Sequence, residues 1–159
     1  MARDDALTGS EELLSLLNKV LEIETAFESL AEWEGYIKTK DTALADLVLR
    51  LYSDSNHHEA IVRSLFARMR GSGKATVPAP GPTVFSFEGA TERQIAEGIL
   101  RMETTARDTY GDILDLLDRI GPDALLKDGQ SEEFMAEVKM LRTAEKTHVG
   151  LVGQFLDNL

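Results

Sequence analysis

The sequence predicts an all-α fold of four long helices in two antiparallel hairpins joined by one long crossover, and three observations predict it. Residues 10–38, 42–70, 92–120 and 132–158 carry apolar side chains at alternating steps of three and four, which gathers them on one face of a helix. No proline falls inside these stretches, where it would remove a backbone donor and clash with the preceding turn. Residues 71–90 hold every proline of the chain except Pro122, and no segment reads as a strand.

Helix one, at 10–38, has capping-box spacing at Thr8 and Glu11. Its stripe reads Leu13, Leu17, Val20, Glu24, Phe27, Ala31. Only a short link around Thr39 and Lys40 follows, so helix two must return antiparallel. Asp41 is its expected N-cap and Gly71 its stop, with the stripe Leu44, Val48, Leu51, Ser55, His58, Val62, Leu65, Met69 between them. The crossover at 71–90 carries apolar Val84, Phe85 and Phe87. About 20 residues at roughly 3.3 Å each can run the length of a helical bundle. Helix three opens on a second capping-box pair, Thr91 and Gln94, and closes at Gly121–Pro122. Its stripe is Ala96, Ile99, Glu103, Ala106, Tyr110, Ile113, Leu117. After the link at 121–130, Ser131 is the expected N-cap of helix four, whose stripe is Val138, Leu141, Glu145, His148, Val152, Phe155, Leu159.

Composition narrows the function classes. A chain of 159 residues that is 43% hydrophobic fits one domain over 1–159 with a full core. With 28 acidic against 17 basic residues the formal charge is −11, which argues against nucleic acid or an anionic membrane as partner and favours cations. The absence of cysteine excludes disulfides, thiolate metal sites and cysteine nucleophiles. Metal chemistry, if any, must use carboxylate and imidazole. The start Met-Ala-Arg-Asp-Asp has no apolar core for a signal peptide, and no apolar run approaches the roughly 18 residues of a membrane span. A cytoplasmic location is the expectation.

Each stripe is broken by polar residues. Glu24 interrupts the first, Ser55 and His58 the second, Glu103 the third, and Glu145 with His148 the fourth. An ionised group buried without a partner costs several kcal/mol. Paired antiparallel helices share a level at equal distance from their connection, and counting outward matches Glu24 with His58 and Glu103 with His148 to within roughly two or three residues. All four seams can place their polar step near the middle of one bundle.

On these residues the chain resembles the ferritin-like superfamily, in particular its rubrerythrin-like, di-iron carboxylate branch, over nearly its whole length. That family takes a Glu from each of two helices and a Glu-x-x-His from each of the other two. Glu24 matches the first-helix Glu, Glu103 in the run Met-Glu-Thr-Thr-Ala-Arg-Asp-Thr-Tyr the third-helix Glu, and Glu145 with His148 the fourth-helix pair. Helix two departs from the pattern, since Asp54-Ser-Asn-His-His58 keeps the His and replaces the Glu by Ser55. Asp54 lies one turn before His58 and about 40° around the helix, where it can ligate directly or orient the imidazole.

The resemblance implies a ferritin-like four-helix bundle binding iron, as two ions or as one if the Ser55 substitution removes a site, with manganese or zinc as alternatives. Glu24, Asp54, His58, Glu103, Glu145 and His148 are the expected ligands, Glu145 the bridge. The implied reaction is oxidation of Fe(II) by dioxygen or peroxide, with an external electron donor for peroxidase turnover. A catalytically inactive ferritin-like bundle, acting as a homodimeric interaction or structural module, is the alternative that Ser55 favours. Either way a homodimer is the expected assembly, with Trp33, Tyr36 and Phe66 off the strict seam as interface residues. Glu28, one turn from Glu24, is a reserve ligand. His57 is expected to face solvent or a groove, and Tyr110 to be a core residue with a bonded hydroxyl.

Overall fold

A computed structural model describes residues 2–71 and 85–159; residues 72–84 of the expected crossover lie outside the described residues. The elements in chain order are α1 (Ala2–Ala26), a 3-10 turn (Phe27–Ser29), α2 (Leu30–Lys40), α3 (Thr42–Phe66), α4 (Glu92–Ile120), α5 (Pro122–Leu125) and α6 (Ser131–Asp157). The fold is all-α, and no strand occurs among the described residues beyond an isolated antiparallel bridge between Met69 and Leu126. Among the described residues no helix is long and apolar enough to cross a membrane.

Helix α1 packs on α3 and α4, and α6 packs on the same two helices. Each long helix therefore touches two others around one core, to which Leu17, Val20, Leu51, Ile99, Tyr110, Ile113, Val138 and Leu141 contribute. Side chains of this kind stabilise by about 1.5–3 kcal/mol each when fully buried. The stripes read from the sequence for α3 and α4 are buried throughout, and that of α6 is buried from Val138 to Val152. Leu159, at its far end, is exposed.

Three boundaries differ from the sequence reading. Helix α1 starts at Ala2, so Thr8 and Glu11 lie inside it and form no cap. Asp4 and Asp5 occupy its first turn, where carboxylates meet the positive end of the helix dipole. Gly9 is buried against the α4–α5 corner, where an added Cβ would stand 3.1 Å from Leu125 Cδ2 and 3.4 Å from Ile120 Cγ1. The second difference is the 3-10 turn. Each of its residues rotates the chain about 120° instead of about 100°, so three residues advance the buried face by about 60°. Leu30 is buried in consequence, and Ala31, the expected seam residue, is exposed.

Third, α3 stops at Phe66 and not near Arg70, because the following residues leave the helix to pair with the α5–α6 link. Arg70 N donates to Leu125 O and Lys127 N to Arg68 O, both at 2.9 Å. Gly71 completes the departure with φ +75°, a conformation that costs glycine least.

The remaining local signals are a guide to the turns. Asp41 caps α3 by accepting from Leu44 N at 2.9 Å, and Thr91 with Gln94 forms the full capping box of α4. Gly121 ends α4, but Ser131 is the first residue of α6 and donates its hydroxyl to Asp123 Oδ1 at 2.7 Å instead of capping. The last residues of the crossover are pinned to the α1–α2 arm. Trp33 Nε1 donates to Phe85 O at 3.0 Å and Tyr36 OH to Ala90 O at 3.1 Å, while Phe27 meets Phe85 edge-on at 5.3 Å. Trp33 and Tyr36 are thus engaged within the chain, and Phe66 is in its core.

Candidate metal centre

Five ionisable side chains from all four long helices are buried in the core: Glu24 from α1, His58 from α3, Glu103 from α4, and Glu145 and His148 from α6. They form two triads, Glu24–His58–Glu145 and Glu103–Glu145–His148, in each of which one nitrogen or oxygen per residue lies within 4.8 Å of the others. Glu145 belongs to both. Its Oε1 accepts from His58 Nδ1 at 2.9 Å, and its Oε2 lies 3.4 Å from His148 Nδ1. One carboxylate thus turns one oxygen toward each triad.

The first triad is closed by hydrogen bonds. Besides the His58–Glu145 contact, His58 Nδ1 is 3.4 Å from Glu24 Oε1, and Tyr110 OH donates to that same oxygen at 2.8 Å. In the second triad, Glu103 Oε1 and Glu145 Oε2 approach His148 Nδ1 to 3.3 and 3.4 Å. Among the described residues all three of these atoms are buried and without a hydrogen-bond partner. The opposite nitrogen of His148 is held from outside, Nε2 donating to Asp54 Oδ2 at 2.9 Å. The two imidazole rings stack with centroids 5.7 Å apart.

Burial and mutual charge set the protonation states. Burial raises the carboxyls of Glu24 and Glu103, with the neighbouring Glu145 adding to the rise, against the lowering pull of His58 and His148. Burial would lower both histidines, but the Glu145 and Glu24 carboxylates override it to bring His58 up to about 10, and Glu103 and Glu145 bring His148 to about 11. Glu145 feels the same burial, yet its close contacts with Glu103 and the two histidines hold it below the usual carboxylate range. Near neutral pH Glu145 is therefore ionised between two imidazolium rings, while Glu24 and Glu103 hold their protons to higher pH than free carboxyls do.

This donor set fits a divalent cation. Carboxylate oxygens and imidazole nitrogens suit iron, manganese or zinc, and three unpartnered buried atoms converging in one triad are what a cation would satisfy. A cation would have to displace the protons just described.

The sequence-derived residues are thus brought together, Asp54 excepted. It stands outside both triads with its side chain 43% exposed, and it serves His148 on α6 rather than His58 on its own helix. Helix geometry alone shows only neighbours along one helix, so this contact across helices had no sequence signal. Glu28 is exposed and hydrogen-bonds Glu59, which with burial pushes it up to about 7, so it joins neither triad. His57 is exposed, as the helical spacing predicts. Ser55 is buried at 1% exposure, its Oγ unpartnered among the described residues. A cleft of about 670 Å³ between the end of the crossover and α4, lined by Phe85, Phe87, Gln94, Gly98, Arg101 and Met102, includes none of the buried ionisable residues.

Compared with family models, curated proteins and solved structures, the chain has no significant match in any of the three.

Proposed function

We propose that this chain is a ferritin-like four-helix bundle that binds two divalent metal ions and acts as a di-iron, or di-manganese, carboxylate oxidoreductase on Fe(II) with dioxygen or peroxide. The observation that carries this reading is the pair of buried Glu/His triads sharing Glu145, one oxygen turned to each. Glu24 and His58 would hold one ion, Glu103 and His148 the other, and Glu145 both. Bound iron would supply the one-electron chemistry toward dioxygen or peroxide that these side chains lack.

The protein's own part is positioning and exclusion. Tyr110 and His58 hold Glu24 in place, Asp54 holds His148, and the surrounding apolar side chains keep bulk water from the carboxylates. The chain has no cysteine and so no thiolate iron centre, which makes an external electron donor necessary for peroxidase turnover. A homodimer in the cytoplasm completes the proposal.

A second reading is favoured by Ser55, which leaves α3 without a carboxylate in the core. On it the bundle is inactive and serves as a homodimeric scaffold, its buried charges compensating one another. Anaerobic loading with Fe(II), followed by metal analysis, separates the two. The metalloprotein reading expects bound iron in the wild type that is absent from the Glu103→Ala, Glu145→Ala double variant. Equal iron in both proteins would sink it.

A further inference from the structure

The two triads are chemically unequal, and we propose that they fill in order: the Glu103–Glu145–His148 triad takes the first divalent cation, with Asp54 as the positioning residue that makes it ready. The inference rests on the metal-binding reading and adds an order and a residue to it.

Entry into the Glu24–His58–Glu145 triad must break contacts already made. His58 Nδ1 donates to Glu145 Oε1 at 2.9 Å, and Tyr110 OH donates to Glu24 Oε1 at 2.8 Å. Those are the atoms a cation would need, and both hydrogen bonds must be given up before it can bind them. The other triad is held more loosely, by ion-pair contacts of 3.3 and 3.4 Å from His148 Nδ1 to Glu103 and Glu145. Glu103 Oε1, Glu145 Oε2 and His148 Nδ1 are all buried, and among the described residues none of them makes a hydrogen bond.

Asp54 explains why His148 can stand so. A histidine with both nitrogens among carboxylates can turn its ring to bond any of them. Here Nε2 is engaged by Asp54 Oδ2 at 2.9 Å, which fixes the ring and leaves Nδ1 facing Glu103 and Glu145. A carboxylate on the far nitrogen of a ligating histidine orients the ring, and its loss typically costs 10–100-fold in metal affinity. His58 has no comparable partner on Nε2 among the described residues. Glu145 is common to both triads, and α3 presents Ser55 and no carboxylate in the core. The first cation therefore draws on Glu145 Oε2 while the His58–Glu145 hydrogen bond on Oε1 persists.

The test is titration of the full chain with Co(II), followed by calorimetry and by the visible d–d absorption of the bound ion. Wild type is expected to bind in two resolved steps. Asp54→Asn should weaken the tight step about 10–100-fold, shift its absorption band and leave the weak step unchanged, with partial recovery in Asp54→Glu. Conversely, His58→Ala should abolish the weak step and spare the tight one. The side chain of Asp54 is partly exposed, so its variants should fold, and circular dichroism verifies this for them and for His58→Ala. Binding in one unresolved step, loss of the tight step in His58→Ala, or equal weakening of both steps in Asp54→Asn would each overturn the order while leaving the metal-binding reading intact. No binding above the Glu103→Ala, Glu145→Ala background would overturn both.

Discussion

Tyr110 is fully buried, and its hydroxyl donates to Glu24 at 2.8 Å. A phenol in an apolar core needs an acceptor, and a core carboxyl needs donors, so each resolves the other's desolvation. Tyr110→Phe keeps the ring and removes the donor. We expect a loss of about 1–3 kcal/mol in urea denaturation, together with tighter binding at the weak metal step, because Glu24 Oε1 is freed of one competitor. An unchanged stability would show that water or His58 replaces the phenol. At this scale the chain's identities were readable, since a Glu or His interrupting an apolar stripe is visible in any helical projection. Who touches whom was not: Asp54 sits one turn from His58 in sequence but bonds His148 across the helix interface.

The helices owe their ends to local chemistry in some places and to neighbours in others. Asp41 and the Thr91–Gln94 pair cap their helices as side chains adjacent in sequence can. Asp41→Ala should cost about 1 kcal/mol, read as a lower urea midpoint with unchanged slope; a destabilisation below a few tenths would mean that water caps α3 equally well. By contrast, the end of α3 is decided by Arg68 and Arg70 bonding the link at Leu125 and Lys127. The start of α1 is supported by packing of Gly9 on Leu125 and Ile120. Residues more than fifty positions apart decide these boundaries, and no local propensity reports them. The 3-10 turn belongs to the same class. It changes the phase of the arm so that Leu30, not Ala31, faces inward, and its Ser29 hydroxyl accepts from Phe85 N at 3.2 Å.

For the molecule as a whole, the buried charges tie stability to pH and to metal. His58 and His148 titrate in the fold at about 10 and about 11, above the unfolded value of about 6.5. Their stabilisation is therefore complete below about pH 6.5 and is lost as pH rises through their folded values. The raised Glu24 and Glu103 act in the same sense, beginning to lose their contribution above the unfolded carboxyl value. Glu145, depressed, contributes fully above that value and adds no slope at higher pH. Metal-free protein should accordingly melt at progressively lower temperature between about pH 5 and about pH 10. Metal binding requires those protons to leave, so the gain in melting temperature on adding Mn(II) should grow over the same range. At a hundred times the dissociation constant the gain corresponds to about 2.7 kcal/mol. Calorimetric scans with and without Mn(II) check both trends, and a metal-free midpoint that rises with pH would contradict the protonation pattern.

Helical periodicity, the proline-rich stretch and the absence of cysteine were enough to determine an all-α chain with its Glu and His residues on core-facing stripes. Those properties follow from spacing along one helix, which the sequence carries directly. Only the tertiary structure decided that Glu145 turns one oxygen to each triad, that one triad is closed by hydrogen bonds while the other keeps three unpartnered atoms, and that Asp54 holds His148. Such relations depend on the rotation and axial offset of packed helices. Shifts of an ångström or two there separate a hydrogen bond from an unpartnered atom, and they arise from the fit of many side chains at once.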